Sequence, residues 1–117
     1  MTFDLTASIL AAAGCDPPED QPLDGIDVLG QIARGEPSEP RTLFWRARRA
    51  NRTWKAVRRG DLKFLSRQDD DGLAEFLFDL SEDPGESRNL LSEVNSDAIA
   101  LKEALAAWEA EVTPASK

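Results

Sequence analysis

Histidine is absent from all 117 residues, and with it the most versatile acid–base group near neutral pH and the commonest transition-metal ligand. A single cysteine, Cys15, excludes an internal disulfide and a cysteine-based zinc cage. No apolar run approaches the roughly 20 residues that a membrane-spanning helix needs. The opening MTFDLTASILAAAGC lacks a basic start, with Asp4 standing where a secretory leader wants Lys or Arg, so a cytoplasmic location is expected.

What is present is enough for one small domain. The hydrophobic fraction of 41% argues against wholesale disorder, and seven prolines predict long loops. The net charge of −8 hides a division. Residues 41 to 67 hold ten Lys/Arg against one acid, Asp61, so that segment is +9 and the remainder −17.

Periodicity divides the chain at the linker EPSEP, 36 to 40. Before it the spacing is helical. TASILAAAG reads as a short helix with Thr6 as N-cap and Gly14 in the left-handed position past its end. Val28, Leu29 and Ile32 mark a second helical turn, closed by Gly35. After the linker the period becomes 2. In RTLFWRAR, Leu43, Trp45 and Ala47 share one face and Phe44, Arg46 and Arg48 the other. TWKAVRR and LKFLSR flank a Gly60-Asp61 turn, and AEFLFDL follows the acidic tip DDDG. These features predict an α+β fold: a four-stranded antiparallel sheet over 41–80 and helices over 84–91 and 97–112. The last helix should lie across one sheet face through Ala98, Leu101, Leu105, Trp108 and Val112, with Trp108 wedged between the two.

FLFDLSEDPGESRNLL crowds carboxylates around Pro84 and poses the sharpest question. A metal site would need more convergent oxygen ligands, and EF-hand spacing is absent. A helix start fits better, with Asp83 as N-cap, Pro84 at the first helical position and Glu86 reaching back to the cap amide. The Asp69-Asp70-Asp71 tip reads as a solvated loop, and Cys15 as a small half-buried hydrophobe with no histidine to activate it.

The same stretch carries a resemblance. Phe78-Asp79-Leu80 followed by Asp83, Pro84, Glu86, Asn89 and Leu90 resembles the C-terminal part of the sulfatase family, in its pattern D-P-x-E-x-x-N-L. DLTASILAAAG, PLDGIDVLGQIARGE, RTLFWR, AVRRGDLKFL and LKEALAAWE resemble further family segments in the family's order, with Ala7 replacing a proline and Leu62 a tryptophan. The resemblance implies that residues 1–40 correspond to the end of the large domain and 41–117 to the smaller C-terminal subdomain. It implies a parent that hydrolyses sulfuric esters with formylglycine and a divalent cation, usually calcium. Formylglycine arises from a C/S-x-P-S-R motif that this chain lacks, and Cys15 is followed by Asp16-Pro17-Pro18. No segment resembles the family's metal-binding aspartates or active-site histidines. No cofactor is therefore expected in this chain, no catalytic residue is assigned, and its own activity is not expected.

Three readings of the basic segment remain open. Arg46, Arg58 or Lys63 faces an anionic substrate pocket, for which arginine's planar fork is suited. Alternatively, solvated arginines cover one face while tryptophans pack on the other. A single-strand nucleic-acid surface around Trp45 and Trp54 is opposed by the −17 elsewhere. The expected partner is a sulfatase catalytic domain or a second copy, and neither nucleic acid nor membrane. The alternative is a standalone module offering its basic sheet to an anionic partner.

Overall fold

A computed structural model describes residues 1–38, 40–93 and 95–113. The chain forms two compact units, Met1–Glu39 and Pro40–Lys117.

The first unit contains helices α1 (Thr2–Ala12) and α2 (Val28–Ala33). Helix α1 begins four residues before Thr6, the expected cap. Met1 is the cap instead, and Asp4 in the first turn accepts its ammonium at 2.8 Å. Both helices end in the Schellman pattern. Gly14 and Gly35 adopt φ of +68° and +67°, and the amides of Cys15 and Glu36 reach back to the carbonyls of Leu10 and Gln31. Two buried polar side chains join the helices. Asp4 Oδ1 accepts the Ile26 amide at 3.2 Å, and Ser8 Oγ accepts the Leu29 amide at 3.2 Å while donating to the Asp4 carbonyl. Gly25 is required here, since a Cβ would sit 2.2 Å from the Phe3 carbonyl oxygen.

The second unit is an antiparallel meander of β1 (Thr42–Arg49), β2 (Arg52–Arg59), β3 (Leu62–Asp69) and β4 (Gly72–Asp79), in that spatial order, with α3 (Asn95–Val112) on one face. This is the expected α+β fold. Register sets Phe44 opposite Val57, Val57 opposite Phe64 and Phe64 opposite Leu77, giving one apolar row across all four strands. Ala98, Leu101 and Leu105 of α3 bury themselves on this row. Trp108 covers the edge strand by stacking on Phe44, with centroids 5.1 Å apart and planes 4° from parallel. Lys55–Glu109 at 2.9 Å and Lys102–Glu75 at 2.8 Å pin the helix at its flanks. Val112, expected on the buried stripe, is 49% exposed; Trp108 already reaches the edge strand β1, so the next turn has no sheet beneath it.

The expected helix over 84–91 does not form. Residues 80–93 are a succession of turns and irregular stretches. Glu86 sits at φ +53°, a left-handed conformation that ends any helix begun at Pro84. Asp83 still caps, but it caps a loop. Its Oδ2 accepts the amides of Ser87 and Arg88 at 2.7 and 2.8 Å, beyond the two or three residues of a helix N-cap, and Oδ1 accepts the Ser87 hydroxyl. The competing demand comes from β4. Asn89 is drawn to that strand's outer edge, where Leu77 donates to its Oδ1 at 2.9 Å and its Nδ2 donates to the Glu75 carbonyl at 3.2 Å. The Leu90 amide then donates to the Leu77 carbonyl at 2.8 Å.

Candidate functional site

Alternation along the strands puts the side chains that are out of phase with the Phe44–Leu77 row on the opposite face. There Trp45 lies opposite Ala56 and Trp54 opposite Ala47, so the two indoles are diagonal neighbours across β1 and β2. Arg58 and Lys63 are direct cross-strand partners on the same face. A cleft of about 380 Å³ opens there, lined among others by Trp45, Trp54, Arg58, Lys63, Leu80 and Glu86.

Its electrostatics are uneven. Lys63 is neutralised by Glu86, Nζ to Oε1 at 2.5 Å. The left-handed turn at Glu86 is what aims that carboxylate at the strand. Arg58 donates through Nε to the Gly60 carbonyl at 2.8 Å and has no ion pair among the described residues. The cleft can therefore receive a further anion against Arg58, with aromatic walls beside it.

Of the three cations singled out in the sequence, Arg58 and Lys63 line this cleft together. Arg46 is exposed and belongs to the α3-facing side of β1, by its parity with Phe44. Trp45 and Trp54 lie on the face away from α3, where Trp45 is 36% exposed. Glu86 is the contributor that sequence reasoning misassigned. As a helical residue it would have pointed back at its own cap, and no local signal announced the left-handed turn that sends it to Lys63.

The carboxylates elsewhere are engaged separately. Asp69 faces Arg67 and Arg52 at 3.2 and 3.4 Å, and Asp70 accepts from Asn51. Asp79 accepts the Ser81 hydroxyl and amide at 2.6 and 2.9 Å, which hold its carboxyl below the usual range. Asp83 is held below it too, chiefly by the Arg88 amide and then by the Ser87 hydroxyl. Among the described residues no three acidic or cysteine side chains converge on a cation position. Cys15 is exposed, its Sγ 3.8 Å from the Ala13 carbonyl, with no base beside it.

No family model matches the sequence, and no curated protein does. Solved structures do match. Ps i-CgsB is similar at TM-score 0.72 with 19% identity, over 90% of this chain and 23% of its own. A sulfatase-like protein of Bacteroides thetaiotaomicron VPI-5482 gives 0.66 and 25%, over 92% and 24%. BT1596, a 2-O GAG sulfatase, gives 0.62 and 26%, over 95% and 24%. The chain thus spans about a quarter of the length of these neighbours, and it resembles the C-terminal part of sulfatases.

Proposed function

We propose that this chain is the C-terminal part of a sulfatase-like sulfuric ester hydrolase, with a structural role: it completes a substrate cleft whose catalytic groups lie in another domain. The observation carrying this reading is the coverage, since nine-tenths or more of this chain is matched by a quarter of each neighbour. The order of the resembling segments along the sequence supports it independently, and so does the absence of C/S-x-P-S-R. The purified chain is expected to leave 4-nitrophenyl sulfate intact, with or without calcium or magnesium. Turnover that stays with the 117-residue species through successive purification steps would overturn the structural role. An upstream reading frame continuous with this one and encoding C/S-x-P-S-R would supply the catalytic part.

A second reading is favoured by one specific feature, an Arg58 with no ion pair among the described residues, in the same cleft as Trp45 and Trp54. In it the chain is a free-standing module that receives an anionic group on its open face. Titration with 4-nitrophenyl sulfate, followed by indole fluorescence, separates the two. Saturable quenching that Arg58→Gln removes supports the module, whereas no binding without a catalytic domain supports the fragment.

A further inference from the structure

The sheet has two edges, and the chain treats them differently. The β4 edge is closed by Asn89 and Leu90, which take up the amide and carbonyl of Leu77 and the carbonyl of Glu75. Among the described residues of the second unit, the β1 edge is left open. Strand β1 pairs with β2 without interruption from Thr42–Arg59 to Arg49–Arg52, so no bulge twists it away. It contains no proline, and among the described residues no backbone hydrogen bond reaches its outer side. Eight residues of regular strand are therefore available as a pairing template, where exposed edges are ordinarily short, bulged or covered.

Charge selects the occupant. Arg46, Arg48 and Arg49 are exposed, and none has a hydrogen bond or ion pair among the described residues. A second copy pairing through its own β1 would set arginines against arginines at cross-strand distance, which is unfavourable. A basic or nonpolar strand gains nothing from them. An acidic strand places carboxylates beside Arg46 and Arg48 on one face, while its alternate residues meet Trp45 on the other.

We infer that the outer edge of β1 is a docking site for an extended segment of a partner protein in which acidic and apolar residues alternate, added as a fifth strand. Main-chain hydrogen bonds supply the adhesion, and the arginines and Trp45 supply the selectivity. The inference does not depend on the sulfatase reading, because it uses only the strand and its side chains.

The test uses the whole chain, isotopically labelled, and three synthetic peptides as long as β1: alternating Glu-Val, alternating Lys-Val, and Glu-Val with alternate amides N-methylated. The Glu-Val peptide is expected to slow exchange of the outward-facing β1 amides by about tenfold or more at saturation, as new hydrogen bonds do. Amides of β2 and β3 should be unchanged. The lysine and N-methylated peptides should give no such protection. The Arg46→Glu, Arg48→Glu, Arg49→Glu triple variant should prefer the lysine peptide instead. Its unaltered β2–β3 exchange would show that it folds, and Arg48→Gln serves as a milder variant with weakened Glu-Val binding. Absence of protection, protection located away from β1, or equal binding of the N-methylated peptide would each overturn the inference.

Discussion

Asn89 stands in for a fifth strand beside Leu77: its side-chain amide accepts the Leu77 N–H at 2.9 Å and donates to the Glu75 carbonyl at 3.2 Å. One side chain thereby satisfies two main-chain groups of β4, beside a leucine whose side chain is fully buried. Asn89→Ala leaves both without a protein partner and is expected to cost about 1–3 kcal/mol. Asn89→Asp keeps the acceptor and loses the donor, so it should protect the Leu77 amide while still lowering stability. Urea denaturation gives the stabilities and hydrogen exchange reads the Leu77 amide. Unchanged exchange at Leu77 in the alanine variant would remove Asn89 from this role.

The two faces of the sheet should respond differently to truncation. Phe64 is 1% exposed beneath α3, and Phe64→Ala is expected to cost about 3–5 kcal/mol. Trp45→Ala on the open face should cost markedly less despite the larger side chain. Equal losses in the isolated chain would mean that something covers the open face as well.

Glu86 is held in a left-handed conformation that penalises any side chain bearing a Cβ. Glu86→Gly and Glu86→Ala both remove the ion pair with Lys63, so their difference isolates the backbone. The glycine variant should be the more stable by about 1–2 kcal/mol. An alanine variant at least as stable as the glycine one would place Glu86 outside that region.

Acid should loosen residues 80–91 ahead of the helix-covered sheet. The carboxyls of Asp79 and Asp83 titrate below their ordinary value of 3.8 in the folded chain. A depressed folded pKa stabilises fully above the unfolded value, and that contribution is lost as pH falls through the folded one. Exchange at the Ser81, Ser87 and Arg88 amides should therefore be pH-independent, after correction for intrinsic rates, from neutrality down to the ordinary carboxylate range. Below it, protection should drop. Loss of that protection already near pH 6 would assign it to another group.

The first unit exposes apolar side chains at helical spacing: Leu5 and Ile9 on α1 at 51% and 57%, Leu29 and Ile32 on α2 at 51% and 72%. Each stands to gain roughly 1.5–3 kcal/mol on full burial. Sedimentation at micromolar concentration is expected to show association that Leu5→Gln with Ile9→Gln reduces. A monodisperse monomer at high concentration would contradict this.

The amino-acid sequence by itself determined the alternation that builds four strands, the helical stripe of α3 and the glycines that end α1 and α2. Each is written in residues adjacent in the chain: period 2, period 3.6, and a position needing positive φ. Alternation also fixed which residues share a face, so Arg58 and Lys63 could be separated from Arg46 once the register was known. It did not fix which face receives the helix. Both carry an apolar row, Phe44–Val57–Phe64–Leu77 and Trp45–Ala56–Leu65–Phe76, and α3 is satisfied by the one that admits Leu101 and Leu105 under a Phe44–Trp108 stack. Tertiary structure also decided residues 83–91. Locally, Asp83-Pro84-Gly85-Glu86 favours a helix start by cap, proline and dipole. Against that stood the open hydrogen-bonding edge of β4 beside a fully buried Leu77, and leaving those groups unpaired costs more than a single turn of helix returns. Asn89 and Leu90 go to the strand, Glu86 turns left-handed to let them reach it, and its carboxylate comes to rest on Lys63.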